Sequence, residues 1–143
     1  MSKTVTAVEA WESLFRAQVI VLRELGAQFP EDLSLNEYDV LFALSQQKER
    51  RLRIRDLTEH MFITQPSISR MIDRLAARGL VTKGADPSDA RGIIVQMTDA
   101  GFDVFRRVAA QHMKAITSRV GGVLNGDELA ELTRLCTKLR LGQ

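Results

Sequence analysis

Residues 63–79 read ITQPSISRMIDRLAARG. On a helical wheel Ile68, Met71, Ile72 and Leu75 share an arc of about 100°, the width of a stripe that packs on a core. Pro66, Arg70, Asp73, Arg74 and Ala77 take the opposite arc, with Ser67 and Ser69 at its margins. The spacing therefore predicts a helix anchored by one side, whose other side carries small, hydroxyl and guanidinium groups and can enter a DNA groove. Thr64 is the expected N-cap, since its hydroxyl can accept a free backbone N–H. Pro66 suits the first turn, and Gly79 should end the helix in a left-handed conformation.

Downstream, the period changes. Leu80-Val81-Thr82-Lys83 and Ile93-Ile94-Val95-Gln96-Met97 flank Ala85–Gly92, a connection rich in Asp, Pro, Ser and Gly. β-Branched runs around such a connection predict a hairpin. Its tip would be a wing, with Arg91 placed to reach a minor groove, where narrow geometry concentrates negative potential. Asp86 or Asp89 is expected to orient that arginine.

Upstream, Asp56–Phe62 predicts a short helix with Leu57 and Met61 facing inward, joined by a tight link to the helix above. Two helices with a tight turn between them make a helix-turn-helix candidate. Leu52-Arg53-Ile54 alternates like a very short strand that needs a partner. A helix over residues 34–47 precedes it, with Ser34 and Glu37 spaced as a capping box and Leu35, Tyr38, Leu41, Phe42 and Leu44 available to a core.

The ends are helical and amphipathic. Val8, Trp11, Phe15, Val19, Leu22 and Leu25 recur at spacings of three and four, predicting a first helix over residues 6–28. Thr98 should cap a long helix to about Val120. Asn125 and Glu128 form a second capping-box pair before the stripe Leu129, Leu132, Leu135, Cys136 and Leu139. The long helix exceeds what a small winged unit needs for its own core.

At 143 residues the chain predicts one domain, with residues 34–98 as its winged unit and residues 4–30 and 99–143 as flanking helices. Hydrophobic residues form 45% and charged residues 27%, which excludes a disordered polyelectrolyte. Lys48 to Arg91 holds ten basic and six acidic residues, whereas the rest holds ten and twelve. A basic middle between faintly acidic ends is the footprint of a nucleic-acid reader. Cys136 is the only cysteine, so neither an intrachain disulfide nor a thiolate zinc cluster can form within one chain. No apolar run suggests a membrane span and the N-terminal MSKTVTAVEAWE lacks a secretory apolar core, so a cytoplasmic location is expected. HExxH, GxSxG and phosphate-cradling Gly-rich motifs are missing and only His60 and His112 are present, so neither enzyme, cofactor nor metal site is expected.

The phrases TQPSISRMIDRLAARGLV and DPSDARG, at their spacing and in the element order α-α-β-α-α-β-β-α-α, resemble the MarR family of winged helix-turn-helix transcriptional regulators. The resemblance covers nearly the whole chain. It implies a mainly α fold with a small β-hairpin wing, dimerising through its N- and C-terminal helices. It further implies a cytoplasmic homodimer that binds a pseudo-palindromic double-stranded operator, probed by recognition helices about 34 Å apart. It places Gln65, Pro66, Ser67, Ser69, Arg70 and Arg74 toward the major groove, Thr64, Ser67 and Ser69 near phosphates, and Arg91 in the minor groove beside Asp89. Arg53 and Arg55 add backbone contacts. Many such regulators are repressors released by a small aromatic or phenolic anion, for which Trp11, Phe15, Tyr38, Phe42 and His112 are the candidate lining. Cys136, on an apolar stripe, is expected to be an inert core thiol. The rival expectation is a winged-helix adaptor that binds protein and not DNA.

Overall fold

Two neighbouring elements show how local sequence and distant packing divide the work. Ser34 accepts the Glu37 N–H at 3.1 Å while Glu37 Oε1 accepts the Ser34 N–H at 3.0 Å, and this reciprocal cap starts helix α2 (Leu35–Ser45). After a short 3-10 turn (Lys48–Arg50), strand β1 (Arg51–Arg53) has meaning only through pairing with residues 94–96. The computed structural model describes residues 2–30, 32–61 and 67–142.

The remaining elements are α1 (Lys3–Ala27), α3 (Ile54–His60), α4 (Ile68–Ala77), β2 (Val81–Asp86), β3 (Asp89–Met97), α5 (Asp99–Arg119) and α6 (Gly126–Leu141). This is the expected order, mainly helical with one small sheet. The three strands are antiparallel in the order β1-β3-β2, with Leu52 opposite Val95 and Val81 opposite Met97. No described helix is long and apolar enough to cross a membrane.

The chain divides into two compact units, one of residues 29–110 and one of residues 1–28 with 111–143. In the first, Leu33, Val40, Leu41, Leu44, Leu57, Ile72, Leu75, Val81, Val95 and Val108 are almost wholly buried. Leu57 from α3, Ile72 and Leu75 from α4 and Val95 from β3 thus meet in one core beneath the sheet and three helices. Burying each such side chain contributes about 1.5–3 kcal/mol, enough to fix the α4 stripe inward and its polar face outward.

Helix α4 ends in a Schellman arrangement. Gly79 has φ +76°, Leu80 N–H donates to Leu75 O at 3.0 Å and Gly79 N–H to Ala76 O at 3.0 Å, as the sequence predicts for this glycine. Thr98 then fastens this end to α5. Its hydroxyl donates to Gly79 O at 2.7 Å and accepts Gly101 N–H at 2.9 Å, while its own N–H donates to Leu80 O at 3.0 Å. Gly101 lies so close that a Cβ there would stand 2.0 Å from Leu80 O.

The second unit has a different apolar distribution. Leu25 is its one buried hydrophobic among the described residues, whereas Val5, Val8, Trp11, Phe15, Ile20, Met113, Ile116, Val123, Leu132, Leu135, Leu139 and Leu141 are substantially exposed. Asn125 and Glu128 form the predicted capping box at the start of α6. Cys136 is half-buried, lining an apolar groove of about 420 Å³ with Leu14, Val21, Val120 and Leu132. That is a more open setting than the core position expected of it.

Candidate nucleic-acid interface

On α4, Met71, Ile72 and Leu75 are buried while Ser67, Ser69, Arg70, Asp73, Arg74, Ala77 and Arg78 are exposed. The described helix begins at Ile68. Ser67 occupies the N-cap position without a side-chain cap bond, and the cap expected at Thr64 lies, with Gln65 and Pro66, outside the described residues. Asp73 is taken up by Lys83 of β2, and Arg78 reaches back to Asp32 O and to Glu37.

The hairpin departs from the expected one. Its strands run to Asp86 and restart at Asp89, leaving only Pro87 and Ser88 at the tip where a connection over residues 85–92 was expected. The pairing is regular from Val81↔Met97 to Ala85↔Ile93 and then jumps to Asp86↔Asp89, so Ala90, Arg91 and Gly92 form a bulge on β3. Arg91 stands in that bulge, exposed.

The physical reason for the extra rung is Asp86. Its Oδ1 accepts Ser88 N–H at 2.9 Å and the Ser88 hydroxyl at 2.8 Å, and its Oδ2 meets Arg53 Nε at 2.6 Å. Arg53 also donates to Ser88 Oγ at 2.7 Å. The Ser88 bonds first, and the Arg53 charge with them, hold the Asp86 carboxyl below the usual carboxylate range. Asp86 therefore engages Arg53, where one of the two expectations had it orient Arg91. Asp89 accepts the backbone N–H of Arg91 at 3.0 Å and faces Arg55 at 3.5 Å.

A contrast in pairing follows. Among the described residues of the 29–110 unit, Arg50, Arg51, Arg53, Arg55, Arg78, Arg106 and Arg107 each form an ion pair, while Arg70, Arg74 and Arg91 form none. The three uncommitted guanidiniums sit on α4 and on the wing. Sequence reasoning missed the inward commitments of Arg53 and Arg78, because each partner is distant in the chain.

The five candidate effector residues fall in different surroundings. Tyr38 stacks on Phe105 at 5.3 Å and meets Phe29 and Phe42, forming an aromatic cluster in the 29–110 unit. Burial, and then the Asp39 charge, push the Tyr38 hydroxyl pKa up. Trp11 and Phe15, 5.7 Å apart, line an open groove along α1 with Glu12, Arg16, Val19 and Ile20, in the other unit. His112, half-buried on α5 in that same unit, has its pKa lowered by desolvation.

A three-stranded sheet, a helix pair ending in an exposed α4 and a hairpin carrying an exposed arginine define a winged helix-turn-helix. The signature described as MarR family matches residues 31–92. The chain is 30% identical to the HTH-type transcriptional repressor MdtR of Bacillus subtilis over 69% of its own length and 64% of that protein's. Sco3205 of Streptomyces coelicolor, a MarR family transcriptional regulator solved in complex with DNA, is 28% identical with a TM-score of 0.77, covering 96% of this chain and 89% of that one. BpsR of Bordetella bronchiseptica, whose DNA binding is regulated by 6-hydroxynicotinic acid, is 26% identical with a TM-score of 0.76, covering 90% and 91%. In sequence and in fold the chain is similar to MarR family transcriptional regulators. It spans less than two thirds of the length of the curated relatives it matches first, MdtR at 64% and PecS of Dickeya dadantii at 63%.

Proposed function

We propose that this protein is a sequence-specific, double-stranded-DNA-binding regulator of transcription, a cytoplasmic homodimeric repressor released by a small aromatic or phenolic anion. The observation that carries the DNA reading is that, among the described residues of the 29–110 unit, Arg70 and Arg74 on α4 and Arg91 in the wing form no ion pair, beside seven arginines that each do. An arginine without an internal partner keeps its donors for a ligand, and its planar fork fits guanine edges and phosphates. Ser67 and Ser69 at the start of α4, and Thr64 before it, suit phosphate oxygens, while Gln65 and Pro66 are proposed to face the major groove. Arg55, well exposed although paired with Asp89 at 3.5 Å, is proposed to add a phosphate contact, with Asp89 holding the wing backbone.

Dimerisation is supported by the exposed apolar residues on α1, α5 and α6, which a second copy would cover. A two-fold pair would present its α4 helices to successive turns of a pseudo-palindrome. The anion release is supported by the likeness to BpsR. Two separate sets of groups are candidates for it, Trp11, Phe15 and His112 in one unit and Tyr38 and Phe42 in the other. Neither catalysis nor a metal enters this function.

The test is enrichment of duplexes from a random pool, followed by affinity against salt. Displaced counterions should make log K fall against log salt with a slope of about −0.9 per phosphate neutralised. Arg70→Ala should cost about 1–3 kcal/mol and relax base preference within each half-site, whereas Arg91→Ala should act mainly at A·T-rich flanks. An adaptor would enrich no duplex at any ionic strength.

A further inference from the structure

The bulge that carries Arg91 is held from two sides. At its start Asp89 accepts the Arg91 N–H at 3.0 Å. At its end the backbone of Gly92 rests on Asp86, so closely that a Cβ on Gly92 would stand 2.9 Å from Asp86 Cβ and 3.2 Å from Asp86 Oδ2. Asp86 cannot move to make room, because its side chain is only 3% exposed and is bound by Arg53 and by both donors of Ser88. Arg53 belongs to β1, on the far side of β3 from β2, so its 2.6 Å contact with Asp86 crosses the sheet and ties the tip end of the wing to the strand before α3.

Resting on the function proposed above, we infer that Asp86 and Arg53 are positioning residues for DNA binding: they fix the bulge that aims Arg91, and Arg53 acts through Asp86 and not on a phosphate. Its Nε and one terminal nitrogen are used inside the protein, on Asp86 and Ser88. The arrangement also explains an acidic residue in a DNA-facing hairpin. A carboxylate there would repel phosphates if free, but the Arg53 guanidinium offsets its charge, leaving Arg91 as the outward cation.

The test exploits a reversal of sign. Asp86→Asn keeps the shape and removes one negative charge. If charge alone mattered, affinity for DNA would rise. As a positioning change it should lower affinity about tenfold, close to the loss from Arg91→Ala. The probe is a duplex enriched by the wild-type protein from a random pool, titrated against wild type, Asp86→Asn, Arg91→Ala and the double variant, each with its unfolding midpoint measured. Added to Arg91→Ala, Asp86→Asn should cost less than about twofold more, because the arginine it aims is already gone. Arg53→Lys, which keeps the charge on a half-exposed side chain but loses the fork, should weaken binding as Asp86→Asn does. Unchanged or raised affinity for Asp86→Asn, additive losses in the double variant, or full binding by Arg53→Lys would each overturn the inference while leaving the proposed function standing. A wild-type protein that enriches no duplex would overturn both.

Discussion

The guanidinium of Arg50 lies 4.8 Å above the ring centroid of Phe102 and reaches Asp99 Oδ1 at 2.8 Å, joining the turn after α2 to the first residues of α5. The backbone holds an uncommon conformation to do so, with φ of 59° at Glu49 and 56° at Arg50. These two neighbours differ in what offsets the strain. The Glu49 side chain has only an exposed pair with Arg51, worth at most about 1 kcal/mol. Arg50 has the ion pair and the ring.

Glu49→Gly is therefore expected to be neutral or stabilising, by about 0.5 kcal/mol, since relief of left-handed strain outweighs a screened pair and the extra freedom of the unfolded chain. Arg50→Gly relieves similar strain but forfeits both contacts, and should destabilise by about 1 kcal/mol. Urea unfolding of the two variants checks the order. Equal shifts would show that the Arg50 contacts contribute nothing.

Two glycines near α5 should respond differently to one added methyl. Gly79 has a positive φ but nothing within 4 Å of the point an added Cβ would occupy, so Gly79→Ala costs backbone strain alone, about 1–2 kcal/mol. Gly101→Ala drives a Cβ against the Leu80 backbone carbonyl, which has no side-chain freedom to give way, and should cost at least about 3 kcal/mol. Thermal unfolding of both variants reads the difference.

Leu135 and Leu132 on α6 are nearly half exposed beside Cys136 in an apolar groove of about 580 Å³. Leu135→Asp is expected to leave helix content intact and convert the protein to a monomer in sedimentation equilibrium. A desolvated carboxylate in a subunit interface costs several kcal/mol, whereas on a free surface it costs almost nothing. A wild-type monomer would remove the basis for the paired assembly.

Burial lowers the pKa of His112 from 6.5, so the folded protein favours the neutral ring. Between the folded value and 6.5 the unfolded chain binds the proton more readily. Stability is then complete above 6.5 and falls as pH drops through that value toward the folded one. Melting temperature should decline as pH falls below 6.5, and His112→Gln should flatten that part of the profile. An unchanged slope would assign the decline to other groups.

What the sequence disclosed follows the range of the forces involved. The caps at Ser34, Asn125 and Thr98 and the left-handed Gly79 are settled within a few residues, and the structure contains all four. The α4 stripe was equally plain, because period 3.6 with Ile72 and Leu75 inward needs no knowledge of the partner. The wing was not. Where β2 and β3 stop pairing depends on Asp86, whose burial depends on an arginine in another strand. The aromatic residues show the same limit: Tyr38 is buried and Trp11 is 58% exposed, though both punctuate similar amphipathic helices.

The contact between Gly101 and Leu80 also limits how α4 and α5 can move against one another. With no side chain between them, the first turn of α5 and the end of α4 cannot slide past one another, and Thr98 locks their rotation. A movement of the first turn of α5 would therefore carry the end of α4 with it. A bulkier residue at position 101 would force those two ends apart.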